Sequence, residues 1–271
     1  MRVLNEKQNI AHKHTFVICA YRESPYLEEC IQSLQAQTVQ SAVVMVTSTP
    51  NDLISSLAER YAIPLYVNPG PGGITQDWNF GCTRVETPYF TIAHQDDVYL
   101  PAYAERMLAA MEGADRPLLY FTDYGELRNG ETVLDNELLR VKRKLLFPLK
   151  NGRFQHSHWV RRRILSLGSP ICCPSVSYAR ENLPEVLFRN HFRSCEDWEA
   201  WEALSRLKGS FYYDAQVLMY HRIHAGSETS AIIGDNARTG EEYEMFCKFW
   251  PRPIARLIAR VYARGQKSNS L

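Results

Sequence analysis

Short runs of strand length alternate with amphipathic helical stretches through the first half of the chain, and this alternation constrains the fold most. Buried strands are predicted at residues 15–20, 42–46, 65–67 and 89–93. Between the first two strands, apolar side chains recur at i, i+3, i+4 and i+7 from Leu27 to Leu34. Continuous apolar strands joined by helices indicate an α/β fold with a mostly parallel sheet covered on both faces. Ligands gather at the carboxyl ends of such strands.

Two adjacent carboxylates follow the fourth predicted strand directly. Residues 89–93 continue into His94, Gln95, Asp96 and Asp97. Mg²⁺ and Mn²⁺ take oxygen ligands, often one or two carboxylates completed by water and substrate phosphates. The acids therefore predict a divalent metal site at this edge of the sheet. The alternative is a turn with solvated acids, because Asp is common in turns.

Composition and charge exclude several classes of protein. With 271 residues, 45% of them hydrophobic, the chain can bury a sizeable core. A net charge of +1 gives no case for a nucleic-acid partner. Seven cysteines without a C-x-x-C pair fit a reducing compartment. The start of the chain lacks a signal-peptide run and no window is long and apolar enough to span a bilayer, so we expect a cytoplasmic protein.

The pattern loosens in the second half of the chain. A helix is predicted at 101–111, a strand at 118–122 and a hairpin turn at 128–130. Residues 140–163 then contain nine Lys or Arg and no acid, with aromatic residues interleaved. This segment is either a solvated loop or a surface for an anionic ligand or membrane. Further strands are predicted at 171–178, 211–214 and 217–220, and a loop at 227–230.

The end of the chain has the pattern of a basic amphipathic helix. Arginines recur every fourth residue opposite apolar side chains, with Arg252, Arg256, Arg260 and Arg264 on one side and Ile254, Leu257, Ile258 and Val261 on the other. Such a helix can make peripheral contact with an anionic membrane through residues 252–264. Packing on its own domain is the alternative.

Six short motifs follow one another in order along residues 15–230. They are Ala20-Tyr21-Arg22-Glu23, then Gly72-Gly73-Ile74 with Asn79 and Gly81, His94-Gln95-Asp96-Asp97-Val98 with Pro101, Pro174-Ser175-Val176, Glu196-Asp197-Trp198, and Tyr220-His221-Arg222-Ile223-His224. In this order they resemble glycosyltransferase family 2, the inverting nucleotide-sugar-dependent transferases of the GT-A fold. The resemblance implies a Rossmann-like GT-A domain over 1–230, with a nucleotide-sugar half at about 14–125 and an acceptor half at about 126–230. A helical extension would follow at 231–271.

The resemblance also implies a role for each motif. Asp96 and Asp97, with His224, are expected to hold Mn²⁺ or Mg²⁺ against the donor diphosphate, where a dication stabilises the leaving group's charge. The expected nucleotide-sugar contacts are Ala20, Tyr21, Arg22, Glu23, Gly72, Gly73, Asn79, His94, Gln95 and Asp96. Glu196, Trp198, His221 and Arg222 are expected near the acceptor or the diphosphate.

Asp197 is the general base that the resemblance implies. Its carboxylate would take the proton of the acceptor hydroxyl as the oxygen attacks the anomeric carbon with inversion. The alternative for Asp197 is a helix-capping role, because acids favour a helix N-terminus. The two roles are compatible, but the helix end would favour the ionised form and make the base weaker.

Two positions depart from the family pattern. Many relatives carry an aspartate where His94 stands, and the second strand here ends in Thr47-Ser48-Thr49-Pro50 without the usual acid. Uridine is the family's commonest base, and thymidine and guanosine remain open. The chain lacks the Gln-x-x-Arg-Trp signature and the membrane spans of processive relatives. This favours transfer of a single sugar in each binding event.

The favoured function is metal-assisted transfer of one sugar from a nucleoside-diphosphate sugar, UDP-sugar first, to a hydroxyl of a glycan or lipid-linked glycan. The protein would be cytoplasmic or peripheral at the inner face of the membrane. One alternative is an inactive sugar-nucleotide-binding or scaffold subunit. Another is a nucleotidyltransferase. That class usually has a Gly-rich loop carrying a Lys or Arg directly after the first strand, and residues 21–25 lack such a loop. No G-x-G-x-x-G follows the first strand, which disfavours a dehydrogenase.

Overall fold

A computed structural model describes residues 13–224 and 237–267. The first half contains β1 (His14–Cys19), α1 (Leu27–Gln35), β2 (Ala42–Thr47), α2 (Asp52–Arg60), β3 (Leu65–Val67), α3 (Ile74–Cys82) and β4 (Tyr89–His94). The second half contains β5 (Val98–Tyr99), α4 (Tyr103–Met111), β6 (Pro117–Arg128), β7 (Glu131–Val133), α5 (Glu137–Leu146), α6 (Gly152–Gln155), α7 (His158–Leu165), β8 (Val176–Ala179), α8 (Glu196–Ser205), β9 (Ser210–Ile223), α9 (Ala237–Cys247) and α10 (Arg252–Lys267). The loop predicted at 227–230 and the polar start of the chain lie outside the described residues.

The strands form one sheet in the order β3-β2-β1-β4-β8-β6-β9-β5, with β7 paired to β6. The first four are parallel, as predicted, so the carboxyl ends of β1, β2 and β4 meet at one edge. The second half is mixed, because β8 runs antiparallel to both β4 and β6. The short β5 pairs with β9 at Val98 and Tyr220, which brings the end of β9 beside the turn that follows β4.

Helices cover both faces of the sheet because successive strand residues point to opposite sides. In β1, Val17 belongs to one buried cluster and its neighbours Phe16 and Ile18 to another. The second cluster packs under α1 and α2, and the first under α3, α7 and α8. The two core layers confirm the predicted doubly covered sheet.

Two predicted strand regions have different forms in the structure. The expected strand at 171–178 starts with a 3₁₀ turn at Cys173–Ser175 and becomes β8 only at Val176. Pro174 cannot donate to a strand ladder, which accounts for the late start. The strands expected at 211–214 and 217–220 form the single strand β9. Its two extra residues bulge between the pairs Thr122–Asp214 and Asp123–Val217.

The basic segment at 140–163 is mostly helical and not a loop. It contains most of α5, all of α6 and most of α7. The Asn136 side chain caps α5 by accepting from the backbone N–H of Leu139 at 2.9 Å. Only Leu139 and Leu146 of α5 are buried, so the apolar stripe is too narrow to reveal the helix in the sequence.

The C-terminal helices α9 and α10 share a core with the rest of the chain. Met245 and Phe246 of α9 and Ala255 and Ala259 of α10 are buried in the same cluster as Trp198. The rings of Trp198 and Phe246 meet edge to face at 5.2 Å. Helix α10 therefore packs on its own domain along one face. None of the helices in 13–224 and 237–267 combines the length and apolar character needed to cross a bilayer.

Candidate active site

Asp97 lies fully buried in the turn between β4 and β5. Its Oδ1 accepts hydrogen bonds from the Arg222 backbone N–H at 2.8 Å and from His221 Nδ1 at 3.0 Å. Its Oδ2 has no hydrogen-bond partner among the described residues. A buried carboxylate oxygen without a donor is costly unless a cation completes it. One oxygen of Asp97 is thus fixed by β9, and the other is open to a ligand.

Asp96 is held by the same strand end. Its Oδ2 lies 3.0 Å from His224 Nε2, and its carbonyl oxygen accepts from Arg222 Nε at 2.8 Å. Burial raises the pKa of Asp96. The neighbouring imidazoles of His94, His221 and His224 together lower it by more than burial raises it, so the net direction is down. Asp96 is therefore an ionised carboxylate at neutral pH.

His94 completes a group that could hold a metal ion. His94, Asp96 and Asp97 each offer one ligand atom, and these atoms lie within 4.8 Å of one another. The His94 ring stacks on Trp78 at 5.5 Å, and its Nε2 has no partner in the described part of the chain. Burial lowers the pKa of His94, which favours the neutral, metal-binding imidazole. The donor set fits a dication such as Mn²⁺ or Mg²⁺.

Arg222 supports the acid pair and is not a free cation. Its guanidinium contacts Glu29 Oε2 at 2.5 Å, donates to the Asp96 carbonyl and covers the Tyr26 ring at 4.3 Å. The residue is 8% exposed. We infer that Arg222 fastens β9 to the turn carrying the acids, whereas the resemblance predicts a contact with diphosphate. The ring of Tyr26 also contacts His224 at 4.9 Å.

The predicted nucleotide-binding residues at the end of β1 lie beside this cluster. The Gln95 side chain bonds both the N–H and the carbonyl oxygen of Tyr21 at 3.0 Å, and so ties β1 to β4. Arg22 has a left-handed backbone with φ of 55°, and its N–H donates to Thr49 Oγ1. Ala20 is buried, while Tyr21, Arg22 and Glu23 are exposed at the sheet edge.

The predicted glycine loop lies against the end of β2. Gly73 precedes α3 with φ of 154°, and a Cβ on Gly72 would lie 2.9 Å from Ser48 Oγ. Asn79 is engaged elsewhere, since its side chain binds the backbone of Phe188 through both polar atoms. The loop is thus held next to Ser48, at the edge where the strands end.

Asp77 is a buried acid at this edge that the sequence did not single out. Its two carboxylate oxygens accept from Ser48 Oγ at 2.6 Å and from Asn68 Nδ2 at 2.7 Å. It lies in the first turn of α3, where an acid is ordinary, so its position after Gly73 was the only available signal. Asp77 therefore places a carboxylate beside the end of β2, with both of its oxygens bound to side chains of the chain itself.

Glu196 and Asp197 occupy the first turn of α8, as predicted. Burial raises the pKa of Asp197 to about 6, against the opposing effects of the Trp198 N–H, Lys142 and Arg238. Burial and the adjacent Asp197 charge raise the pKa of Glu196 to about 8. The N–H groups at the helix end do favour the ionised form, as expected, but desolvation outweighs them and the net pKa is raised.

Asp97 and Asp197 both lie within electrostatic reach of the Cys172 thiol. The pKa of the Cys172 thiol is raised by burial, with Lys142 opposing and both Asp97 and Asp197 adding to the rise. Lys142 lies 5.1 Å above the Tyr124 ring, which itself contacts the His221 ring at 6.4 Å. Lys142 thus lies within electrostatic reach of both His221 and Asp197. In the sequence it was one of nine basic residues and could not be distinguished.

Trp198 lies in the core and not in a cleft. It is 1% exposed, and its indole N–H donates to the Leu165 carbonyl at 3.0 Å. This position supports a packing role that orients the first turn of α8. It gives no surface for the acceptor contact that the resemblance implies.

Glu241 of α9 holds the backbone just before Asp197. Its carboxylate accepts from the N–H groups of Arg193 and Ser194 at 2.8 Å and from Ser194 Oγ at 2.6 Å. Arg238, on the same helix, forms an ion pair with the buried Glu242 and lowers the pKa of Asp197. Helix α9 therefore fixes the entry to α8 and contributes charge to the site.

If Asp197 is the base that the resemblance implies, Glu241→Ala is expected to lower kcat for sugar transfer about tenfold while donor affinity stays near its parent value. The variant loses three hydrogen bonds to the loop before Asp197, and small displacements of a base from its reacting geometry slow the reaction strongly. Transfer kinetics and donor titration check this. Glu244→Ala, an exposed change on the same helix, is the control. Equal kcat for the two variants would show that the loop does not need Glu241.

Comparisons with known proteins identify the family of this chain. Residues 15–166 match the family described as Glycosyl transferase family 2. An uncharacterized glycosyltransferase of Rickettsia prowazekii is 25% identical over 248 residues, which cover 88% of this chain and 71% of the relative.

Two solved structures share the fold. Staphylococcus aureus TarS 1–349 in complex with UDP-GlcNAc has a TM-score of 0.63 at 16% identity, covering 95% of this chain and 73% of that one. A mannosyltransferase from Pyrobaculum calidifontis, in complex with GDP-Man and Mn²⁺, has a TM-score of 0.63 at 14% identity, covering 93% and 69%. The fold is thus the GT-A fold, a curled central sheet flanked by helices.

Proposed function

The chain belongs to glycosyl transferase family 2, and from this premise we propose that it moves one sugar from a nucleoside-diphosphate sugar to an acceptor hydroxyl with inversion. The observation that best supports the proposal is the cluster of His94, Asp96 and Asp97 at the edge where the parallel strands end. Asp197 lies within electrostatic reach of the same buried thiol as Asp97. Such a transfer requires a group that can bind a metal ion and a carboxylate that can accept a proton.

The donor is proposed to lie across the ends of β1, β2 and β4. Ala20 to Glu23 and Gly72-Gly73 border this edge, with Asp77 beneath them. Asp96, Asp97 and His94 would hold Mn²⁺ or Mg²⁺, with His224 steadying Asp96. The chemistry that the metal supplies when bound is Lewis-acid stabilisation of charge on the departing nucleoside diphosphate. A UDP-sugar is the first choice, and the GDP-Man complex of the Pyrobaculum enzyme keeps guanosine open.

Asp197 is proposed as the general base. With a pKa raised to about 6 it remains largely ionised at neutral pH and is more basic than an ordinary carboxylate. It would take the acceptor proton as the hydroxyl oxygen attacks the anomeric carbon. The bond from that carbon to the diphosphate oxygen breaks in the same displacement, and inversion follows.

The acceptor is proposed to be a glycan or a lipid-linked glycan. The basic segment at 140–163 carries Lys142 into the site and would border the acceptor side. A lipid-linked acceptor requires access to a membrane, and residues 252–264 are the segment proposed to make a peripheral contact at the inner face. No nucleic acid is part of this proposal.

Purified protein with Mn²⁺ and a panel of UDP-, GDP- and dTDP-sugars is expected to release nucleoside diphosphate slowly from one donor class. Water replaces the acceptor in such a reaction, so the donor can be identified before the acceptor is known. Release is measured by a coupled assay, with EDTA as the control. Donor binding without any release, even with glycan extracts added, would favour the inactive scaffold subunit. Release of pyrophosphate from a nucleoside triphosphate and sugar phosphate would favour nucleotidyl transfer.

A further inference from the structure

Helix α10 carries large aliphatic side chains on its outer face. Ala255 and Ala259 are buried against the domain, whereas Ile254, Leu257 and Val261 are 45%, 64% and 62% exposed. Their spacing of three and four residues places them in one stripe along the helix. A surface helix of a soluble protein normally presents polar residues there, so this stripe is a feature to be explained.

A row of arginines runs beside the stripe. Arg252, Arg256 and Arg260 follow one another at four-residue spacing, and none has an ion-pair partner in the described part of the chain. The sequence of α10 contains no acid. Arg256 and Arg260 also line a shallow groove against Thr239 and Tyr243 of α9. The arginines are therefore available to an anionic partner.

An exposed tryptophan adjoins the start of α10. The Arg163 guanidinium contacts the faces of both the Trp159 and the Trp250 ring, at 5.4 Å and 4.7 Å from their centroids. Trp250, just before α10, is fixed by its hydrogen bond to the Ser166 carbonyl at 2.7 Å. Trp159, which contacts Arg163 with one part of its ring, is 66% exposed. Tryptophan is the side chain most typical of the boundary between water and lipid.

We propose that the outer face of α10, together with Trp159, docks on an anionic phospholipid bilayer. The aliphatic stripe would enter the boundary between headgroups and acyl chains, and the arginine row would meet lipid phosphates. Basic residues near such a surface and apolar side chains buried at it both favour binding. The buried face of α10 packs in the same core as α8, so docking would hold the Asp197 side of the protein near the membrane.

The surface fits other occupants less well. A nucleic acid would engage the arginines but would leave the aliphatic stripe in water. A second copy pairing stripe to stripe would bring two arginine rows together, and like charges repel. The docking proposal agrees with the lipid-linked acceptor proposed above but does not depend on sugar transfer.

Flotation of the full chain with vesicles tests the proposal. We expect binding to vesicles of phosphatidylglycerol and phosphatidylcholine, little binding to pure phosphatidylcholine, and weakening at high salt. The double variant L257S/V261S and the double variant R256Q/R260Q should each lower the partition coefficient about tenfold or more. V186S removes an equally exposed aliphatic residue elsewhere and should bind like the parent. Far-ultraviolet circular dichroism and Tm verify that each variant folds.

Several outcomes would overturn the proposal. Equal binding of parent and both double variants would remove the assigned surface. Light scattering that finds a dimer abolished in L257S/V261S, without vesicle binding, would identify a second copy as the occupant. Binding to RNA that R256Q/R260Q abolishes, without vesicle binding, would identify a nucleic acid. Donor hydrolysis measured without vesicles on the same preparations tests the catalytic proposal separately.

Discussion

Asp197→Asn is expected to reduce kcat for transfer by about 10³-fold while donor affinity changes less than about twofold. The asparagine oxygen can still accept the Trp198 N–H, so the first turn of α8 keeps its geometry. An amide cannot take the acceptor proton, so the variant lacks the proposed base. Single-turnover transfer and donor titration with Mn²⁺ measure the two quantities. Transfer at the parent rate would remove Asp197 from the role of base.

Glu196→Gln is the matched comparison for this variant. Glu196 is the neighbouring buried carboxyl, and its pKa is raised to about 8, so it is mostly protonated at neutral pH. A protonated acid cannot act as the base, and Glu196→Gln should keep most of the transfer rate. If Glu196→Gln abolishes transfer and Asp197→Asn does not, the two roles are reversed.

The pH dependence of Asp197 has opposite signs for activity and stability. The proposed base acts in its ionised form, so kcat should fall as the pH drops through about 6. Burial raises the folded pKa above the unfolded value, so this group's stabilising contribution is full below the unfolded pKa and is lost as the pH rises through about 6. Asp197→Asn, always neutral, should therefore gain in Tm relative to the parent above pH 6. A pH series of kcat and Tm checks both signs.

Asp97→Asn is expected to weaken Mn²⁺-dependent donor binding about 100-fold and to remove measurable transfer. The amide oxygen can still accept from Arg222 N–H and His221, while the open Oδ2 becomes an NH₂ group that cannot bind a cation. The change thus tests the open oxygen with little disturbance of β9. Calorimetric titration of donor with and without Mn²⁺ gives the loss.

Asp123→Asn is the control for removing a buried acid. Asp123 is paired with Arg143 at 2.7 Å, outside the metal-binding group. Its loss should lower Tm and leave the Mn²⁺ dependence of donor binding unchanged. Parent-like Mn²⁺ dependence in Asp97→Asn would contradict the metal assignment.

The first half of the fold could be predicted because its signals are local. Strands β1 to β4 are continuous apolar runs, and the acids after β4 stand next to each other in the sequence. The contacts that support the site join distant residues instead. Arg222 and Glu29 are 193 positions apart, and Glu241 and Ser194 are 47 apart. Periodicity and motif order contain no information on such pairs.

The pKa values and the burial of individual site residues could not be predicted from the sequence either. The pKa of Asp197 is raised by burial and is opposed by Lys142 and Arg238, which come from distant parts of the chain that a local pattern does not reveal. Trp198 looked like a motif residue but is a core residue, because α7 and α9 enclose it. Helix α5 was missed because its basic residues outnumber its buried ones.

The packing of α9 and α10 against α8 determines how this protein can be shortened or recombined. The family match stops at residue 166, whereas Glu241 and Trp250, whose indole N–H donates to the Ser166 carbonyl, both lie further along the chain. A truncation or chimera designed on the matched segment would discard both Asp197 and the helices α9 and α10 that share a core with α8. The smallest transplantable unit therefore extends through α10, and domain-swap experiments within this family should exchange that whole block.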